Sequence, residues 1–419
     1  MKYHIATIAL ATTVSAFAGT PEPAPAPAPE AEPWIKPLLN IRARFEYGSV
    51  DAPGLRSSTA FTTRERVGLV TTDWHGLSAL VEGEFTQAIV DSYDSGPGAS
   101  TTPNDPTRTQ IADPETNELN QAYLQYKNWD TVFRGGRQRI ILDGAQFIGN
   151  VGWRQNEQTY DAFSITNNSF EDLTLFYAYA NRVNRIFGSD ATGGLRNFAG
   201  DVHLFNAKYT GLGDWAVAGY AYLMDFDETV ASPFVSNDTY GFYATGPAGP
   251  VTLYAEFAYQ TDTDSNGPTR PSDSYYTHLT ASMNAGSHKF TLGWEYLDYG
   301  FVTPLATVHK FNGFADVFIG RRIGLGGGNP GLSDVYLSHS TPLPFWGLKF
   351  TQAFHVFGDN DTEFDYGWEY DAVLAKKFNE NFLAIAKFAY FDSSGRTPQA
   401  NNGALFDTTR FSLELNYVF

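Results

Sequence analysis

The 419-residue sequence contains no cysteine. A disulfide framework and a thiolate metal site are therefore both excluded. Charge is also sparse: 18% of the residues are Asp, Glu, Lys or Arg, against roughly 25% in soluble domains. Lysine is the rarer cation, 10 residues against 18 arginines. The formal net charge of −18 lacks the basic footprint of a nucleic-acid binder, so no nucleic-acid partner is expected. Long apolar runs are missing too. Beyond the N-terminus the longest, Trp215–Met224, has ten residues, about half of the roughly 20 that a membrane helix needs. There is no G-x-S-x-G and no H-E-x-x-H, and the eight histidines are scattered. No feature supports an enzyme.

The first 18 residues read as a secretory signal peptide. Lys2 gives a positive start, Ile5–Val14 an apolar run, and Ala16-Phe17-Ala18 a small-x-small cleavage pattern. The mature chain is expected from Gly19. Residues 19–35 form a Pro/Ala/Glu-rich periplasmic tail, built on TPEPAPAPAPEAEP at 20–33. Such a tract favours extended conformations and packs no core.

From residue 36 to 419 the pattern is alternation. In LNIRARFEY, Leu39, Ile41, Ala43, Phe45 and Tyr47 share one parity, and Asn40, Arg42, Arg44 and Glu46 the other. Phe411, Leu413, Leu415, Tyr417 and Phe419 alternate in the same way with Arg410, Ser412, Glu414 and Asn416. This is the period of a strand with one greasy and one polar face. About 18 such segments recur. Tight turns such as DWHG (73–76), NWD (128–130) and NAGS (284–287) alternate with long polar loops such as 91–117 and 260–274. A soluble sandwich has no reason to sort its loops by length. A transmembrane antiparallel β-barrel does, with short periplasmic turns and long extracellular loops. The sequence therefore predicts an all-β barrel of about 18 strands in the outer membrane of a Gram-negative-type bacterium, among outer-membrane lipids. The bilayer core admits such strands only as a closed ring.

The barrel gives the arginines a direction. A cation on the lipid face near mid-bilayer costs about 2–4 kcal/mol. Arg42, Arg44, Arg64, Arg66 and Arg410 share the polar parity of the first, second and last strands, which closure makes neighbours. They are expected to line the lumen, with Arg137 and Arg139 extending the patch. Arg134 has the opposite parity to those two, so one set faces lipid, snorkels at the interface or is separated from the other by a bulge. Arg154 falls in a long loop whose glycines would let it fold toward the mouth. Two readings stand side by side. Arginines can brace the wall by pairing with Glu46, Glu82, Glu84 or Glu414, or they can form a ladder of weak sites for an anion in transit. Planar guanidinium forks suit carboxylates better than ammonium points do.

The stretch GRQRIILDGAQFIGNVGWRQNEQTYDAF (Gly136–Phe163) resembles the signature of the alginate-export outer-membrane proteins. TPLATVHKFNGFADVFI (Thr303–Ile319) is similar to a second segment of that family, and the spacing and final DTTRFSLELNYVF also fit. The resemblance implies an 18-stranded barrel with an arginine-lined constriction that passes a polyuronate. It places motif positions at Arg137, Gln138, Trp153, Arg154 and Asp161, and at His309, Lys310, Asn312 and Asp316. The aromatic end at Phe419 resembles the signal read by the barrel-assembly machinery. Export implies periplasmic polysaccharide-delivery proteins as partners.

Three functions are weighed: an outer-membrane channel for an acidic polysaccharide; an anion-selective or general porin for small solutes; and a non-transporting barrel, either an enzyme or a surface adhesin. A passive barrel needs no cofactor. The Phe301–Gly331 connection is a lid, a plug or a concealed strand pair. Within it, GGGNPG (326–331) fits G-x-G-x-x-G in letters alone, because Pro330 and a following strand exclude the nucleotide-binding context. The oxygen-rich run Asp359, Asp361, Glu363 and Asp365 is a candidate Ca²⁺ loop set against a solvated acidic loop.

Overall fold

The computed structural model describes residues 33–96, 101–227, 236–262, 273–322, 331–359, 365–395 and 405–419. The expected signal peptide and most of the tail lie outside them, as do Asp361, Glu363 and all but the last residue of GGGNPG.

The alternating segments form strands β1 (Ile35–Val50), β2 (Ser58–Thr71), β3 (Leu77–Ser92), β4 (Thr116–Asn128), β5 (Thr131–Gln138) and β6 (Thr159–Phe170). They continue as β7 (Leu173–Asn184), β8 (Asn197–Leu212), β9 (Trp215–Phe226), β10 (Asn237–Ala248), β11 (Val251–Asp262) and β12 (Asp273–Ala285). The last six are β13 (His288–Leu297), β14 (Leu332–Pro342), β15 (Leu348–Gly358), β16 (Asp365–Lys377), β17 (Phe382–Ser393) and β18 (Thr408–Val418). Each pairs antiparallel with its neighbours in sequence, and β1 pairs with β18, so the sheet closes on itself. The seam sets Arg44 opposite Glu414 and Gly48 opposite Arg410. No described helix is long and apolar enough to cross a membrane; the strands do the crossing.

One parity of each strand points outward and is apolar. Leu124, Phe242, Leu292, Leu337, Leu413 and Leu415 are all exposed on it. A continuous exposed apolar band of this kind belongs in lipid, not water. Trp74, Trp129, Phe170, Trp346 and Phe378 sit at the turn end, also exposed, as an interfacial aromatic belt. One turn shows how the tight connections are made. Trp129 and Asp130 both take positive φ, 49° and 52°, the left-handed pair that joins twisted antiparallel strands in two residues. The same parity turns the Glu65 carboxylate outward, opposite Ile41 on β1 and Phe85 on β3.

The interior is filled from above. The loop 139–158 and the described part of 298–331 fold inward and bond to each other, Gly149 N–H to Leu305 O at 2.9 Å and Thr307 N–H to Ala145 O at 2.9 Å. Phe147, Phe301 and Leu305 then pack with Tyr220, Tyr222 and Tyr276 of the wall. The long connection is thus an inward plug, with a 3₁₀ turn at Val308–Lys310 and one helical turn at Ile319–Arg322. It holds no further strand among the described residues.

Candidate functional site: the lumen and its constriction

The inner faces of β1, β2 and β18 carry the arginines. Arg44 is fully buried and bonds to Glu414 (Nη2–Oε2 2.7 Å) and Asp113 (Nη1–Oδ2 3.2 Å). Arg66 pairs with Glu84, and with Glu157 at 3.5 Å. Arg410 reaches Glu46 at 3.3 Å and donates Nε–H to Ala315 O at 2.8 Å. Arg42 gives its guanidinium to the loop backbone, at Gly152 O, Trp153 O and Arg154 O, all within 3.2 Å. Most of these cations therefore brace the inward loop against the wall. Arg64 differs. It is 1% exposed, stands directly opposite Arg42, and bonds only to Asn40 Oδ1 through Nη2. Its Nε and Nη1 have no partner, and it has no ion pair among the described residues.

Above this wall sits a contact between two distant segments. The Trp153 and His309 rings stack with centroids 4.1 Å apart and planes 3° from parallel. Lys387 Nζ lies 3.6 Å from the Trp153 ring centroid and 4.4 Å from that of Phe314, and 3.1 Å from His309 Nε2. His309 Nδ1 is 2.6 Å from Asp316 Oδ1. Arg154 completes the hub with Asp316 (2.9 Å) and Glu46 (3.2 Å). Burial pushes His309 down to about 3, against the pull of Asp316. The neutral ring then accepts from Lys387 at Nε2 and donates from Nδ1. Burial alone would raise the Asp316 carboxyl. His309, Arg154 and Arg410 outweigh it and hold Asp316 well below the ordinary carboxylate range. In Arg154, burial is outweighed by Glu46, Asp113 and Asp316, so its guanidinium stays charged.

The neighbouring stretch of wall, reached through β17, is acidic. Glu295, Asp334, Glu369 and Asp371 stand buried on β13, β14 and β16. They accept from the plug: Asn312 Nδ2 donates to Glu295 (2.7 Å) and Asp334 (3.2 Å), Ala315 N–H to Glu369 (2.7 Å) and Phe314 N–H to Asp371 (3.2 Å). The loops are held by cations that take their carbonyls on one side and carboxylates that take their amides on the other. Sequence reading missed this second wall.

Two cavities flank the hub. The turn-side one is about 720 Å³, with residues such as Lys208, Thr252, Ser282 and Thr351 on its walls. The loop-side one is about 220 Å³ and includes Arg154, Arg185 and Arg410. A third, between Trp153, His309 and Phe314 of the plug and the wall at Lys387, Ala389 and Ser412, is only about 10 Å³, room for about one water.

The remaining site residues fall as follows. Arg139 turns inward and pairs with Glu157. Gln138 is buried and inward, donating to Ala162 O at 2.9 Å and accepting from Ser164 at 2.7 Å. Lys310 donates to Gly144 O at 2.8 Å. The expectation that Arg137 lines the lumen is corrected. Its register partners Ala122 and Asp161 lie on the outward parity, and its fork closes on Asp161 at 2.6 and 3.0 Å. Arg134 takes the inward place instead, bonded to Gln125 at 2.7 Å and lying over the Tyr123 ring. Asp161 shares the outward position of Arg137. No group of three or more His, Asp or Glu among the described residues could hold a metal ion, and of the proposed calcium run only Asp359 and the backbone at Asp365 fall among them.

The fold is shared with solved outer-membrane proteins. It superposes on Pseudomonas aeruginosa outer membrane protein OpdK with a TM-score of 0.67 at 12% identity, covering 92% of this chain and 99% of that one. Acinetobacter baumannii OccAB4 gives 0.67 at 12%, over 94% and 100%. P. aeruginosa OpdK with vanillate gives 0.62 at 13%, over 91% and 99%. No curated protein matches the sequence. Closed sheet, lipid-facing apolar band and constricted charged lumen together define an outer-membrane β-barrel of channel architecture. The alginate export family model matches residues 34–177, so the family resemblance holds over the first third of the chain, including Gly136–Phe163. Thr303–Ile319 lies beyond the matched stretch, yet His309 from that segment stacks on Trp153 from the first.

Proposed function

We propose that the barrel conducts carboxylate-bearing solutes, acidic saccharides of the alginate type among them, between periplasm and exterior. The carrying observation is Arg64: a buried guanidinium with two unsatisfied donors beside Arg42, in a lumen whose described carboxylates are largely engaged by donors. A desolvated cation without a counter-charge is costly, and a passing carboxylate relieves that cost. The arginine wall, the exposed lysines of the turn-side cavity and the alginate export match support the same reading. Passage of a polymer requires the hub at Trp153 and His309 to part. The narrow hub favours a second reading, a porin for small anions, which the vanillate named with OpdK also supports. Delivery of a polymer by periplasmic proteins and insertion by the barrel-assembly machinery belong to the first reading.

Planar-bilayer recording tests this. The wild-type pore is expected to be anion-selective and to be blocked by polyuronate added to one side. Reversing charge at Arg42 and Arg64 together should invert the selectivity. An unchanged anion preference in that double variant overturns the proposal, and a silent barrel favours a non-transporting role. Block by small aromatic carboxylates without block by polyuronate selects the second reading.

A further inference from the structure

The turn-side cavity has a second chemistry besides charge. Aromatic rings follow one another across the inner faces of β10, β11, β12, β14 and β15. Tyr243 and Tyr254 have centroids 5.4 Å apart, Tyr254 and His278 5.5 Å, His278 and Tyr336 6.3 Å, and Tyr336 and His355 5.2 Å. All five line the cavity. All five are tied by their polar atoms: Tyr243 to Asp143 at 2.8 Å, Tyr254 to Glu256 at 2.7 Å, Tyr336 to His278 at 3.0 Å, and His355 to Asp334 at 2.9 Å. The row also crosses a strand that contributes no ring. On β13 the position opposite Tyr336 is Gly293, where a Cβ would come within 2.1 Å of the Tyr336 ring. That glycine leaves the ring room to lie across the strand toward His278, the way an aromatic covers a strand glycine.

We propose that this row is a stacking track for pyranose rings. An aromatic face carries the negative side of a quadrupole, and the C–H face of a sugar is a weak donor to it. Anchored rings are pre-organised, so little ordering is lost on contact. Lys208, Lys289 and Lys310 are exposed in the same cavity, within reach of carboxylates on the edge of the stacked sugars. The ligand class is a uronate oligosaccharide, stacked by its face and paired by its edge. The inference rests on the proposed passage of carboxylate solutes and adds the saccharide face to it.

The full-length barrel in planar bilayers is probed with an alginate oligosaccharide, a neutral cello-oligosaccharide of equal length and acetate. Tyr336→Leu and Tyr254→Leu should each shorten the oligosaccharide blocks about tenfold, the change that ~1.4 kcal/mol produces. Acetate conductance and ion selectivity should stay as in wild type. Tyr336→Phe keeps the ring and should keep the block. Should a leucine variant fail to fold, Gly293→Ala, which displaces the Tyr336 ring, is expected to shorten the blocks in its place. Block times unchanged in the leucine variants, or in Gly293→Ala where it stands in, overturn the track. An anion-selective wild type that neither oligosaccharide blocks overturns the track and leaves the anion channel standing. A cation-selective wild type still blocked by the neutral oligosaccharide does the reverse.

Discussion

Arg42 and Arg64 face each other across β1 and β2 as a directly opposed pair of like charges. Such an arrangement is unfavourable in a sheet, and Arg64 is not compensated by any ion pair among the described residues. Arg64→Gln should therefore leave the barrel as stable as wild type or more so, while lowering anion preference. Denaturant unfolding and reversal potentials check the two halves.

Arg44 gives the contrasting case. It is the shared partner of Glu414 and Asp113. Arg44→Gln removes the nearest cation from both carboxylates, leaving Glu414 with Arg42 at 3.5 Å and Asp113 with Arg154 at 3.8 Å, and should cost about 3 kcal/mol, the lower end for breaking a buried pair from one side. The same unfolding assay reads it, and a stability equal to that of Arg64→Gln would refute the division of these arginines into bracing and unpaired.

Trp153 carries both a stacked His309 and a Lys387 ammonium on its ring. Trp153→Ala should loosen the plug locally, with a loss of about 3–5 kcal/mol if the site does not collapse. Single-channel conductance should rise and become noisier. A conductance identical to wild type would mean the hub is not the constriction.

Acid should weaken the same hub. His309 is held neutral, its pKa depressed to about 3. Its contribution to stability is present above its ordinary value of about 6.5 and is lost as pH falls toward 3. The depressed Asp316 carboxyl acts in the same direction at still lower pH. Protonated His309 would set a second cation against Lys387. Open-state probability should rise on titrating from neutral toward pH 4, and His309→Gln should flatten that dependence.

Outward positions should be silent in conduction. Arg137→Ala is expected to leave selectivity unchanged, whereas Arg134→Ala alters it, which measures the inside–outside assignment directly. Glu65→Leu removes a carboxylate from the lipid face and should stabilise the barrel in bilayers, by no more than about 2 kcal/mol.

The strands were legible because a half-buried strand writes its two faces into alternate residues. In the regular stretches of β1, β2 and β18 that parity gave the face on which Arg44, Arg64 and Arg66 are buried. In β5 the parity set Arg134 and Arg137 on opposite faces, as they are, but could not say which faced inward. Arg139 lies past the end of β5 at Gln138 and turns inward, where counting by twos from Arg137 does not reach. The pairing of Trp153 with His309 left no local mark, since 156 residues separate them and only the inward fold of both loops joins them. The acidic wall had a signal that was overlooked. Glu295 lies between Trp294 and Tyr296, and Asp371 between Tyr370 and Ala372, each a lone polar residue in an apolar run and each facing inward.

Arginines gather on β1, β2 and β18 and buried carboxylates on β13, β14 and β16, so charge is spread unevenly around the barrel axis at the level of the plug. A solute with its charge on one edge would meet attraction on one flank of the wall and repulsion on the next. On the proposed conduction, such a barrel would discriminate between isomers that differ only in where their charge sits.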